Sequence, residues 1–168
     1  NSLKVMAENE SNLFEAMRNA DNLFCEDTGD TGMFVTVFMA QYDPKNQILE
    51  YFSCGHNPVM IYKAKENQVD YLHADGIAMG FMPRDKVGDP VSIKMESQDM
   101  IVLYSDGVTE SHNPDNQLFG EERLKRFILL EAATPLPQFA TRLMEELKAF
   151  SRGRAQHDDI TFMIMRVK

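Results

Sequence analysis

The sequence predicts an α+β fold built on antiparallel sheets, and three observations predict it. Short apolar runs with period-two alternation follow one another through turn-forming residues, as in MFVTVFMAQY, ILEYFSC and VMIYKA. Helical stripes are segregated to the start and the last third of the chain, so strand and helix do not alternate as a doubly wound parallel sheet requires. The runs MIVLY and ITFMIMRV are apolar on both faces, which suits a sandwich whose sheets pack together and are covered by helices.

The chain opens helically. Leu3, Met6 and Ala7, then Leu13, Phe14, Met17, Ala20 and Phe24, recur at three-to-four spacing. Asn9 to Asn12 interrupts the pattern, and Ser11 or Asn12 caps the second piece. The acidic, glycine-bearing loop from Glu26 to Gly32 ends it. From Met33 the period becomes two, and Asp43-Pro44-Lys45-Asn46 turns the chain into ILEYFSC. Gly55-His56-Asn57-Pro58 makes the next turn, into VMIYKA, and VDYL follows Lys65-Glu66-Asn67, so an antiparallel meander of about four strands is expected. Ala74 to Asp89 reads as irregular loop around Ile77 to Phe81, after which PVSIKM and MIVLYS are strands joined through Glu96 to Asp99. A polar turn region, Ser111 to Gln117, precedes a helix from about Glu121 to Glu131. A second helix begins near Pro135 and Pro137, with Phe139, Leu143, Leu147 and Phe150 as its stripe. Arg152 to Gln156 reads as a mobile basic linker to the closing strand. With no internal repeat and no strong linker, residues 1–168 are expected to be a single domain.

Composition narrows the function classes. At 168 residues, with 43% apolar and 10% aromatic content, the chain can bury a core and is not disordered. Lys+Arg 17 against Asp+Glu 26 gives a net charge of −9, which argues against nucleic-acid phosphates or an anionic membrane as partners. The acidic balance suits cation binding, as it suits a plain solvated surface. Cys25 and Cys54 are too few for a disulfide framework and lack metal-site spacing, so free thiols in a reducing, cytoplasmic compartment are expected. No signal peptide opens the chain and no apolar run approaches the roughly 18 residues of a membrane span. A start at Asn1 rather than Met suggests a piece of a longer protein.

The chemistry concentrates in the last third. Asp106 closes the run MIVLYS, and Asp158 and Asp159 open ITFMIMRV. If these runs pair antiparallel, Asp106 and Asp158 share one sheet edge, a plausible seat for hard divalent cations, which take oxygen ligands. Gly107 lets the backbone turn sharply and expose the Asp106 carboxylate, although Asp-Gly is also a common turn pair. Adjacent acids at Asp158 and Asp159 repel, and a cation relieves the repulsion; a solvated loop is the plainer reading. A zinc or helical His-Asp phosphohydrolase reading of His157-Asp158 fails because a strand follows. Ser105 as a nucleophile fails because no His stands at general-base spacing. His56 reads as a turn residue, and Glu110 and His112 as flanks of the acidic turn.

Six blocks stand in an order that resembles a known family. They are Phe34-Val35-Thr36, Gly55-His56-Asn57-Pro58, Gly76-Ile77-Ala78-Met79-Gly80, Leu103 to Glu110 (LYSDGVTE), Phe119-Gly120-Glu121-Glu122-Arg123-Leu124, and Asp158-Asp159-Ile160-Thr161. Over nearly the whole chain they are similar to the bacterial SpoIIE/RsbU-type PPM serine/threonine phosphatases, relatives of eukaryotic PP2C. The resemblance implies an α-β-β-α sandwich of two antiparallel sheets and a pair of Mn2+ or Mg2+ ions. Water activated by that pair attacks the phosphorus of phosphoserine or phosphothreonine in line. It implies metal-ligand, catalytic roles for Asp106 and Asp158, a weaker or supporting metal role for Asp159, and a backbone role for Gly107. The implied substrate is a phosphorylated regulatory protein, a STAS-type anti-sigma-factor antagonist, and the implied context is a longer protein with an upstream sensory or regulatory domain.

The resemblance also has gaps. The family's opening strands carry a Gly-Asp-Tyr-Tyr-Asp-like motif and an Asp-Val-Ser-Gly-Lys-Gly-like turn that supply a metal-bridging carboxylate, and neither is in this chain. The chain therefore reads as an N-terminally truncated, partial domain with about half of the metal's ligands, weakly active or inactive alone. Gln98-Asp99 stands where the family often has Gly-Asp, a change that touches a turn. The competing reading is a catalytically incompetent, phosphatase-like regulatory module, and a third is a hydrolase of small phosphoesters. An uncovered sheet edge makes a homo-oligomer the expected state.

Overall fold

The computed structural model describes residues 13–73, 76–82, 90–156 and 158–168. The predicted first helical piece with Leu3, Met6 and Ala7, its interruption, the caps Ser11 and Asn12, part of the loop after Ala74, and His157 lie outside the described residues. In chain order the elements are α1 (Leu13–Thr28), β1 (Val37–Asp43), β2 (Ile48–Cys54), β3 (Val59–Lys63), β4 (Gln68–Leu72), β5 (Val91–Lys94), β6 (Met100–Tyr104), α2 (Asp106–Thr109), α3 (Gly120–Glu131), α4 (Leu136–Ser151) and β7 (Phe162–Arg166). They divide between two compact units, Asn1–His56 with His73–Lys94, and Asn57–Leu72 with Met95–Lys168.

The first unit sets α1 on an antiparallel sheet ordered β1-β2-β5. Met17 of α1, Phe52, Cys54 and Met79 are its buried cluster, with Ala20, Phe24, Val37 and Met39 packed against it. Helix α1 runs to Thr28, past the expected stop at Glu26, because the Thr28 hydroxyl donates to the Phe24 carbonyl at 2.7 Å and a single turn, Gly29–Thr31, follows before Gly32. The first strand begins at Val37, not Met33. Before it, Val35 pairs with Met79 in an isolated bridge, and Met33, Phe34 and Val35 are exposed. Asp43 makes the β1–β2 turn as its residue type predicts, its carboxylate accepting the backbone N–H groups of Lys45 and Asn46 and the Asn46 amide.

The second unit is a four-stranded antiparallel sheet ordered β4-β3-β6-β7, with α3 and α4 on one face. Met60, Tyr62, Val102 and Tyr104 from the strands meet Leu124 and Ile128 of α3 and Phe139, Leu143 and Leu147 of α4 in one buried cluster. The predicted stripe accounts for α4, and α3 spans the stretch where a helix is expected. Pro135 precedes α4, where a proline costs no hydrogen bond, and Glu121 and Glu122 occupy the first turn of α3, where a helix favours negative charge.

Three expectations change here. The expected meander is two hairpins in different sheets, β1–β2 and β3–β4, and residues 55–58 carry the chain from one sheet to the other. Alternation is the same in a meander and in two separate hairpins, so the pattern does not distinguish them. Strand β7 is not buried on both sides; it lies at the sheet edge, and Met163 is 65% exposed. Residues 152–156 are not a free linker, since Arg154 Nη1 donates to the Asn113 carbonyl at 2.8 Å and to Asn116 Oδ1.

The turn at Gln98-Asp99 does more than reverse the chain. Gln98 sits at φ 71, the left-handed region that favours glycine, which explains the family's Gly at that place. Asp99 is 1% exposed, and its carboxylate accepts from Lys63 Nζ at 2.9 Å and from the N–H groups of Ala64 at 2.9 Å and Glu96 at 3.0 Å. Burial pushes its pKa up, but the N–H groups of Glu96 and Ala64 and the Lys63 ammonium outweigh that and hold the carboxyl below its ordinary value.

Candidate functional site

Strands β6 and β7 pair antiparallel from Met100↔Arg166 to Tyr104↔Phe162. Beyond the last pair the ladder is prolonged by Ser105. Its N–H donates to the Thr161 carbonyl at 2.8 Å, its hydroxyl donates to the Asp159 carbonyl at 2.9 Å, and the same hydroxyl accepts the Thr161 N–H at 3.0 Å. Asp106 follows immediately, as the first residue of α2, and Asp158 stands just before the segment that Ser105 grips. The two acids thus occupy the same end of the β6–β7 pair, as the sequence pattern expects.

Both carboxylates are exposed and similarly oriented on their own backbone. Asp106 Oδ1 accepts the Gly107 N–H at 2.9 Å, and Asp158 Oδ1 accepts the Asp159 N–H at 2.7 Å. Each acid is steadied by its neighbour, leaving carboxylate oxygen directed to solvent. Asp159 is exposed as well, but its fixed feature is the carbonyl, held by Ser105.

Gly107 is required for a different reason from the expected one. It is buried and helical and does not adopt positive φ, so no sharp turn depends on it. A Cβ built there would lie 2.4 Å from the Asp159 carbonyl oxygen and 3.3 Å from that of Asp158. The glycine lets the segment bearing Asp158 and Asp159 close directly onto α2. Its own carbonyl accepts the Ser111 hydroxyl at 2.8 Å.

These donors are carboxylate oxygens, the kind that Mn2+ or Mg2+ prefers and that zinc sites built on Cys and His do not use. In number they fall short. Among the described residues no group of three or more His, Cys, Asp or Glu side chains is placed to hold a metal ion. The fit is of donor type, and Asp106 and Asp158 alone do not close a coordination sphere.

The other candidates separate. His56 lies against the Phe38 ring in the first unit, centroids 6.3 Å apart. Cys25 and Cys54 are not joined in a disulfide, and Cys54 is buried. Glu110 and His112 line a cavity of about 200 Å³ beside α2, floored by Met144, Leu147 and Ile160 and shared with Gly107 and Asp158. Tyr104 ends β6 under this region, and burial, with Glu121 and Tyr71 nearby, pushes its hydroxyl pKa well up. Ser105 and Arg154 are the residues that the sequence reading missed. The signal that marks Ser105 is its place between the last ladder pair and the acid.

A family model described as Stage II sporulation protein E (SpoIIE) matches residues 1–168. Protein IcfG of Synechocystis sp. is 30% identical over 148 residues, 88% of this chain and 23% of that protein. Phosphoserine phosphatase RsbU of Bacillus subtilis is 30% identical over 147 residues, 88% of this chain and 43% of its own length. The chain therefore spans less than half the length of either relative. Among solved structures, the SiaA-PP2C domain of Pseudomonas aeruginosa superposes with a TM-score of 0.78 at 17% identity, covering 99% of this chain and 65% of that one. The fold is thus PP2C-like: helices with two antiparallel sheets.

Proposed function

Because the chain belongs to the Stage II sporulation protein E (SpoIIE) family, we propose that it is the major part of a PPM-type protein phosphatase domain that hydrolyses phosphoserine or phosphothreonine on a regulatory protein. Similarity to a phosphoserine phosphatase supports the reaction class. The observation that carries the reading is the β6–β7 pairing, with Asp106 at the end of one strand and Asp158 ahead of the other. The family match over residues 1–168 supports treating the two units as one domain.

In this reading Asp106 and Asp158 hold divalent cations, Mn2+ or Mg2+, through their solvent-facing oxygens, with Asp159 as a weaker partner. The Gly107 carbonyl, which accepts the Ser111 hydroxyl and keeps a second lone pair, is a lesser backbone candidate beside the carboxylates. When bound, such cations supply positive charge that acidifies water and neutralises phosphoryl oxygens. The chain's own contribution is to fix the two acids at one edge through Ser105 and to close that edge over Gly107. The remaining ligands lie outside the described residues.

The partner proposed is a phosphorylated STAS-type anti-sigma-factor antagonist in the cytoplasm, with an upstream sensory or regulatory domain governing the phosphatase; self-association through the exposed edge belongs to the same proposal. Among the described residues no helix is long and apolar enough to cross a membrane. A second reading, a phosphatase-like regulatory module without chemistry, is favoured by the lack, among the described residues, of three side chains placed to hold one metal ion. Turnover separates the two. The full-length protein should hydrolyse p-nitrophenyl phosphate with Mn2+, and Asp106→Asn or Asp158→Asn should reduce that rate by about 100-fold or more. Wild-type turnover in both variants would sink the assignment, and an inert full-length protein would favour the regulatory module.

A further inference from the structure

The cavity beside α2 adjoins the acids' edge and shares two wall residues, Gly107 and Asp158, with it. Its floor is apolar, made by Met144 and Leu147 of α4 and by Ile160, and Glu110 and Lys148 stand exposed at its mouth. Its walls are tied in place by the chain itself. Arg154 bonds to the carbonyl of Asn113 and the side chain of Asn116, Ser111 bonds to the carbonyl of Gly107, and the Gln156 amide donates to the carbonyl of Asp158. A preformed apolar pocket costs little ordering when filled, and about 200 Å³ exceeds the roughly 150 Å³ that accepts a benzene ring. That is room for one leucine, methionine or phenylalanine side chain. Its mouth carries charge of both signs, so it offers no net attraction to an anion or a cation, whereas the floor rewards burial of carbon.

We infer that this cavity is a specificity pocket that receives an apolar side chain of the phosphoprotein substrate, a few residues from the phosphoserine whose phosphate lies at the Asp106–Asp158 edge. The inference rests on the phosphatase reading above. Because the 158–159 backbone lies directly on the buried Gly107, no side chain separates the acids' edge from the cavity wall, and a peptide passes from one to the other within a few residues. Specificity would then come from one buried anchor rather than from charge, in a protein whose overall balance of −9 already favours no acidic peptide.

The test measures selectivity, the ratio of kcat/KM for phosphoserine peptides to that for p-nitrophenyl phosphate, in the full-length protein. In a peptide set with leucine placed in turn at each neighbouring position of a glycine-rich background, one position should raise the ratio about ten- to 100-fold, mainly through KM. Ala155→Trp, which fills the mouth from an exposed position, should abolish that gain while leaving the all-glycine peptide's ratio as it was. Met144→Gln, which makes the floor polar, provides an independent second variant. No leucine preference at any position overturns the pocket, as does a preference that survives both substitutions. Absence of p-nitrophenyl phosphate turnover in the unmodified protein overturns the phosphatase reading itself, and the pocket with it.

Discussion

Replacing Gly107 by alanine probes the edge that the two acids share. The added methyl carbon would sit 2.4 Å from the Asp159 carbonyl oxygen and 2.9 Å from its carbon, both backbone atoms that no rotamer change can clear. Restoring ordinary contact requires the 158–159 segment to retreat by about 1 Å, and overpacking of that kind costs about 1–3 kcal/mol. The retreat also lengthens the 2.9 Å bond from Ser105 to the Asp159 carbonyl, worth about 1 kcal/mol. Better helix propensity of alanine returns up to about 1 kcal/mol, since Gly107 already has ordinary helical geometry. The net loss is about 1–3 kcal/mol by urea denaturation, with a fall in phosphatase turnover larger than unfolding accounts for. Gly120→Ala is the control: φ is +74 and nothing lies within 4 Å, so it should cost about 1 kcal/mol of backbone strain and leave turnover alone. Wild-type stability and turnover in Gly107→Ala would refute the close-approach argument.

Other expectations follow from single contacts. Ser105→Ala removes two bonds across the edge and should cost about 1–3 kcal/mol and weaken Mn2+ binding by calorimetry, while Ser105→Thr restores both. Asp99→Asn should cost about 2–4 kcal/mol at neutral pH by leaving Lys63 without its buried anion. Because the Asp99 pKa is lowered in the fold, its contribution is complete above the ordinary value of 3.8 and is lost as pH falls through the lower folded value. The acid limb of a stability–pH profile should therefore be shallower in Asp99→Asn. Gln98→Gly should stabilise the chain by up to about 1 kcal/mol in thermal melts, as the left-handed turn is relieved. Met163→Ser, at an exposed edge position, should change the midpoint by less than about 0.5 kcal/mol.

What the sequence made legible was what depends on local pattern. The extent of α3, the stripe of α4, the Asp43 turn and the run-in of Asp106 and Asp158 to paired strands follow from periodicity and turn chemistry, and the structure has them. What it hid was choice of partner. Residues 55–58 look like a hairpin turn, yet β2 pairs with β5 and β3 with β6, a decision made by contacts distant in sequence. The apolar closing strand gives no sign that it lies at an edge. Gly107 is visible as a glycine, but whether it serves a turn or a close approach depends on where Asp159 comes to rest. Asp99 reads as a turn acid because its partners Lys63 and Ala64 lie 36 and 35 residues earlier.

The Ser105 bridge has a consequence in time as well as in space. It joins residues 54 and 56 positions apart, with α3 and α4 lying between them. Helical turns close over a few residues and need no such search, whereas joining distant segments carries a loop-closure cost that grows with the logarithm of their separation. The two acids therefore come together only once β7 docks on β6. A lesion that slows the docking of α3 or α4 would delay the meeting of Asp106 and Asp158 without altering either, and would be read in refolding experiments as activity that returns later than helix.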